Sequence, residues 1–203
     1  MRLTKPTVYL LNNIPYEEML RDIEYAARIS TKTDKEVGEK FVSNLIKRGH
    51  YSVLRHAVIH AHIVCSRRVS HEFVRHHVGI DLIQESTRWC CYAKDRFNHE
   101  LTVYLPKPLE THPSVLDLME QSERVYNQLI AEGYTNDDAG YVLPHSLKTE
   151  MVVVANVEAW RTVLTKRLQK NVLKEFRDLM EMLRYMLLQS YPVLFEDLAD
   201  VGE

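Results

Sequence analysis

A chain of 203 residues with 26 basic and 28 acidic side chains, 45% hydrophobic and 27% charged, has the balance of an ordinary globular protein with room for one core. Its net charge of -2 gives no global field for nucleic acid, although a local basic cluster can still take an anionic ligand. Three cysteines, Cys65 and the adjacent pair Cys90 and Cys91, form neither a disulfide framework nor a CxxC metal pair, and neither a signal-like start nor a run of ~18 apolar residues is present, so a cytoplasmic protein with no membrane role is expected.

A first strand is predicted over 7–11, bounded by Pro6 and Asn12-Asn13. Residues 16–29 place Met19, Leu20, Ile23, Ala26 and Ala27 at helical spacing. A second helix is expected over 33–48, opened by a Thr33-to-Glu36 capping box, with Phe41, Leu45 and Ile46 as its buried stripe and Gly49 as its stop. The period then changes to two over 53–65. Arg55, Ala57, Ile59, Ala61, Ile63 and Cys65 share one strand face, and three histidines (His56, His60, His62) share the other. Residues 67–77 fit a helix, and 80–82 and the stretch from Glu85 read as irregular to extended. A strand over 101–105 is closed by Pro106-Lys107-Pro108. An amphipathic helix over 114–132 stops at Gly133, and a short helix starts at Asn136 and ends near Pro144. A β-branched run over 150–155 and helices over 158–168 and 172–189 complete the chain. The elements lack regular βαβ alternation, and neither GxGxxG nor GxxxxGK[ST] occurs, so a single α+β domain over 1–203 is expected.

Seven of the ten histidines lie between His50 and His77, in a stretch that also holds Arg55, Arg67, Arg68 and Arg75, with Arg88 following. Guanidinium forks suit phosphate and carboxylate, and imidazoles can donate to phosphate or to ring carbonyls. His60-x-His62 could supply two metal ligands from one strand face. The neighbouring arginines would repel a dication, however, and no carboxylate-rich motif accompanies the pair, so no metal site is expected.

Arg75-His76-His77 followed by Gln84-Glu85-Ser86-Thr87-Arg88-Trp89 resembles the signature of flavin-dependent thymidylate synthases. Ala26-Ala27-Arg28-Ile29-Ser30, the Gly49-His50…Ser52…His56 stretch, Val142-Leu143-Pro144, and the Asn156…Arg167 pair resemble further motifs of that family in the right order. The resemblance implies an α+β fold and a homotetramer whose active sites combine subunits. It also implies FAD as cofactor, NADPH and methylenetetrahydrofolate as co-substrates, and a pyrimidine deoxynucleotide monophosphate as substrate. By position, Ser30, His50, Ser52, Arg75, His76, His77 and Asn156 would serve the flavin. Gln84, Ser86, Arg88 and Arg167 would hold the nucleotide, with its phosphate on Ser86 and Arg88. Arg75 and Arg167 would be the catalytic groups. No protein cysteine attacks the ring in this family, and Cys90 and Cys91 are read as structural.

The chain departs from the family pattern at several places. His77 stands where the signature has Arg, and eight residues (78–85) separate it from Ser86, one more than usual. Gly140 stands where the family has an arginine against the pyrimidine, and Gln84, Arg55 and Glu72 replace a common Glu, Glu and Gln. The phosphate elements Ser86, Arg88 and Arg167 are kept. Three readings follow: conversion of dUMP to dTMP; a relative modifying another pyrimidine nucleotide such as dCMP, or transferring hydroxymethyl; and a non-catalytic flavin- or nucleotide-binding homologue.

Overall fold

The computed structural model describes residues 1–11, 14–32 and 38–202. In chain order they form β1 (Arg2–Leu3), β2 (Thr7–Leu10), α1 (Tyr16–Thr31), α2 (Glu39–Lys47), a 3-10 turn (Tyr51–His56), β3 (Val58–Ser66), α3 (Arg67–Phe73), β4 (Ile80–Gln84), β5 (Thr102–Val103), α4 (Pro113–Ala131), α5 (Asn136–Ala139), β6 (Lys148–Asn156), α6 (Val157–Arg167), α7 (Lys174–Ser190) and α8 (Pro192–Phe195). Four strands line up in the order β2-β3-β6-β4, while β1 and β5 pair in parallel as a separate ribbon. The mixture is the α+β class expected from the sequence.

Contacts divide the chain into two compact units. The first contains Met1–Thr7, Ile63–Arg75 and Ile83–Met151. Its core joins Tyr92, Leu101, Val103, Leu105, Met119, Tyr126, Ala139 and Leu147. The amphipathic α4 supplies Met119 and Tyr126, and the Tyr126 hydroxyl accepts the Tyr92 backbone N–H at 3.3 Å. Ser66 ends β3 and caps α3, its Oγ accepting the Val69 N–H at 3.2 Å.

The second unit contains Val8–His62, His76–Leu82 and Val152–Glu203. Here α1 packs on α2 and on the 3-10 turn, α6 on that turn and on α7, and α8 on α2 and α7. Met19, Ile23, Leu54, Ile59, Trp160, Phe176 and Phe195 are fully buried. The one polar atom of Trp160 is satisfied, because Nε1 donates to the Ile59 carbonyl at 3.0 Å. Arg161 is also buried, forking onto Asp197 at 2.8 and 2.6 Å and reaching the Leu194 carbonyl.

Several boundaries differ from the sequence expectation. The strand predicted over 53–65 begins only at Val58, and residues 51–56 wind into a 3-10 turn. An unbroken strand would put Leu54 on the histidine face, whereas the turn buries it completely. The predicted core face of β3 is otherwise as expected, since Ala57, Ile59, Ala61, Ile63 and Cys65 are all buried. In α2, Gly38 is extended and serves as N-cap, so the described helix starts at Glu39, and Val42 and Ile46 are its buried positions. The Thr33-to-Glu36 capping box and Asn12-Asn13 lie outside the described residues. Helix α3 stops at Phe73, leaving Arg75-His76-His77 in a link rather than a helix. That link must deliver the chain to β4, a full strand where only partly extended structure was expected.

Gly79 makes the turn into β4. Its φ of +71° is strained for any residue with a Cβ. The Asn156 side chain closes over it, the Asn156 N–H donates to the Gly79 carbonyl at 3.1 Å, and Asn156 Oδ1 caps α6 through the Ala159 N–H at 2.9 Å. Gly79→Ala is expected to lower the unfolding free energy by about 1–2 kcal/mol from backbone strain alone. Collision of the new methyl with the Asn156 amide adds to this loss. In an Asn156→Ala background, denaturant unfolding should show a smaller cost for the same change. Strictly additive losses would refute the contact.

Candidate active site

Within the first unit, residues 86–91 leave β4 as a tight loop. The Ser86 carbonyl accepts the N–H groups of Trp89 (3.2 Å) and Cys90 (2.9 Å), and the Ser86 hydroxyl accepts the Arg88 N–H at 3.3 Å. A serine followed by such a turn presents its hydroxyl and the following cation from one short segment. Arg88 is further held from the start of α5. Asn136 Nδ2 donates to its carbonyl at 2.9 Å, and Asp137 Oδ1 lies 3.1 Å from its Nε. A concavity of about 190 Å³ is lined by Arg88, Trp89, Thr135, Asn136 and Asp137, and the Trp89 indole is 81% exposed. The sequence marked Asn136 and Asp137 only as a helix start, and their pairing with Arg88 has no local signature.

Gln84 points inward. Its Nε2 donates to Ser70 Oγ at 2.9 Å and Thr149 Oγ1 at 3.0 Å, so the side-chain carbonyl is what it can offer a ligand. Arg75 is exposed in the link after α3. Gly140 sits in open space, where an added Cβ would meet nothing within 4 Å, and the neighbouring Tyr141 is 91% exposed.

Within the second unit, Arg167 and His76 meet although 91 residues separate them. Arg167 is the last residue of α6, where the helix dipole favours a cation. Its Nε donates to His76 Nε2 at 2.8 Å, its guanidinium carbon lies 4.9 Å from the centre of the Phe176 ring, and His76 meets the same ring edge-on. A ring nitrogen that accepts from Nε carries no proton, so the His76 proton resides on Nδ1 and that atom is a donor. Burial lowers the His76 pKa to about 4, helped by the charges of Arg167 and Lys166 and by His77. Phe176 lies within the helix expected over 172–189 and carried no other mark in the sequence. Ser30 is exposed near the end of α1 and donates to the Ala27 carbonyl at 2.7 Å. His50 and Ser52 are exposed at the start of the 3-10 turn, which packs against α1, and His77 is exposed in the link.

Five of the predicted residues fall into two groups. Ser86 and Arg88 share one loop in the first unit, beside the inward Gln84, and His76 and Arg167 form one cluster in the second. Among the described residues, a larger groove of about 940 Å³ runs along α1 and the start of α2, past Tyr16, Arg21, Tyr25 and Arg28. It contains none of these groups and mixes both charge signs.

A histidine whose folded pKa lies below its unfolded value of 6.5 contributes stability above that value, and the contribution is lost as pH falls from 6.5 towards about 4. Imidazole NMR should show His76 as the Nδ1–H tautomer with a midpoint near 4. A midpoint near 6.5 would contradict the burial and the Arg167 contact.

The sequence pattern of the family described as thymidylate synthase complementing protein matches residues 11–193. Over 175 residues the chain is 30% identical to a flavin-dependent thymidylate synthase from Thermococcus onnurineus, covering 78% of this chain and 70% of that protein. A second, from Pyrococcus furiosus, is 27% identical over 165 residues, covering 77% and 66%. The chain thus spans about two thirds of the length of these relatives. A solved structure, a UMP/dUMP methylase from Streptomyces cacaoi bound with 5-Br dUMP, has the same fold with a TM-score of 0.82 at 18% identity, covering 100% of this chain and 98% of that one. With most of its length matched, this chain belongs to the family of thymidylate synthase complementing proteins.

Proposed function

We propose that this chain is a flavin-dependent enzyme that transfers a one-carbon group to carbon 5 of a pyrimidine deoxynucleotide monophosphate, with dUMP to dTMP as the leading reaction. The observation that carries this reading is the Arg167 guanidinium, held by His76 and backed by Phe176. A guanidinium at this place is the kind of group that forks onto a pyrimidine carbonyl or a phosphate. Such a cation favours negative charge developing on the ring carbonyls, which makes carbon 5 more nucleophilic. Ser86 and Arg88 would hold the phosphate, and the inward Gln84 would present its carbonyl to the base. The neighbour described as a UMP/dUMP methylase supports a pyrimidine monophosphate as the substrate class.

The donor set fits a flavin. Neutral His76 carries its proton on Nδ1, and His50, Ser52, His77 and Asn156 are exposed or half-buried polar side chains in the same unit, a set whose chemistry would suit the carbonyls and diphosphate of FAD. Arg75 would add a cation. FAD, reduced by NADPH, supplies the hydride that no side chain can, and methylenetetrahydrofolate supplies the carbon. Assembly as a homotetramer in the cytoplasm belongs to the same reading. No described helix is long and apolar enough to cross a membrane.

A second reading is favoured by one observation. A side chain at 140 would meet nothing within 4 Å, so crowding does not account for the missing arginine. Loss of that cation, with the phosphate groups kept, fits a different base such as cytosine, or a different one-carbon group.

Purified protein should show a flavin absorbance band and oxidise NADPH faster with dUMP than with dCMP. The reverse preference selects the second reading, and flavin binding without any nucleotide response favours a non-catalytic homologue. Arg167→Lys should lower kcat/KM for dUMP by about 100-fold, because an ammonium cannot bond His76 and fork onto the ring together. Steady-state kinetics with unchanged flavin occupancy would check it.

A further inference from the structure

We propose that Tyr92 and Lys148, acting through Glu85, are positioning residues that clasp the neck of the Ser86–Arg88 loop and so set its grip on the nucleotide phosphate; this rests on the reading above, in which Ser86 and Arg88 hold that phosphate. The loop of residues 86–91 is joined at its two ends. Tyr92, the first residue after it, donates its hydroxyl to Oε1 of Glu85, the residue before it, at 2.8 Å. Glu85 is tied to β6 by its N–H on the Glu150 carbonyl at 2.8 Å, and Tyr92 to α4 by its N–H on the Tyr126 hydroxyl at 3.3 Å. Lys148 lies between two carboxylates, 2.8 Å from Glu85 Oε2 and 2.7 Å from Glu150 Oε1.

The groups are buried enough for these bonds to matter. Tyr92 is 4% exposed, and the side chains of Glu85 and Lys148 are 12% and 18% exposed. A buried carboxylate deprived of a partner is strongly disfavoured, so Glu85 holds Tyr92 and Lys148 in place, and they hold it. Burial raises the Tyr92 hydroxyl pKa and the Glu85 charge raises it further, so it stays a donor at neutral pH. Burial pulls the Lys148 ammonium pKa down, but the bonds to Glu150 and Glu85 outweigh that and keep it charged. With the neck closed, the bonds of Ser86 to the N–H groups of Arg88, Trp89 and Cys90 need span only a short segment. Neither Tyr92 nor Lys148 is assigned a contact with the ligand.

The test is calorimetric binding of dUMP and of deoxyuridine, which lacks the phosphate, to wild-type and Tyr92→Phe protein. The phenyl ring keeps the packing on Phe97 and Tyr126 while removing the clasp. The expected result is a loss of about tenfold in dUMP affinity, as for a hydrogen bond to a charged group, with deoxyuridine affinity unchanged. Lys148→Gln, which keeps one hydrogen bond but no charge, should lower the same dUMP-to-deoxyuridine ratio. Unchanged dUMP affinity in both variants, or equal losses for both ligands, overturns the clasp while leaving the nucleotide reading intact. Wild-type protein that binds neither ligand overturns both.

Discussion

A cation can leave water only where acceptors replace the water it loses, and the arrangement of this protein around its candidate site follows from that constraint. Arg161 is buried in α6 because Asp197 and the Leu194 carbonyl receive its guanidinium. Those contacts pin α6 to the segment after α7, and α6 ends six residues later at Arg167. The position of Arg167 is therefore inherited from a buried ion pair that does no chemistry. The Arg167 guanidinium meets an imidazole and a ring face.

The first unit meets the constraint with carboxylates as well. Lys148 stands between Glu85 and Glu150, which answer its charge completely, and the network serves only to fix backbone. Arg88 stands in contrast to Lys148. It is exposed, and Asp137 reaches only its Nε edge, which orients the guanidinium in solvent without enclosing it. An exposed pair of this kind contributes little stability, so its use is orientation. The gradation from fully paired Lys148 to solvent-facing Arg88 separates cations that build the fold from those suited to meet a ligand.

Much of this was legible in the sequence, and the illegible parts share a cause. Periodicity marked α1, α4, α6, α7 and the core face of β3, because each buries one face and burial is what periodicity reports. Periodicity ran on falsely through 53–56, where Leu54 and His56 continue the alternation but the backbone winds into a turn to bury Leu54. It also carried α3 too far, since no local signal shows that the chain must turn at Gly79 under Asn156. The site residues were found by their types and order, whereas their partners were not. Phe176 under Arg167, Asp137 beside Arg88 and Tyr92 on Glu85 are ordinary residues in ordinary elements, defined only by a fold that brings distant segments together.

The same geometry explains how a family member could change its base without losing its fold. The bonds that hold Ser86 and Arg88 come from the loop itself, α5 and the Glu85 network, and those that hold Arg167 come from His76 and Phe176. Residue 140 takes part in neither set, and its Cβ position touches nothing. An arginine there would therefore contribute recognition but no packing, and its replacement by glycine costs the structure little beyond backbone entropy. His77 is exposed in the link after α3. Substitution at 140 alters what a ligand would meet and leaves the stability of the fold nearly untouched. The glycine at 140 is a departure that the fold permits, while the buried partners of Arg161, Lys148 and Arg167 cannot change one at a time.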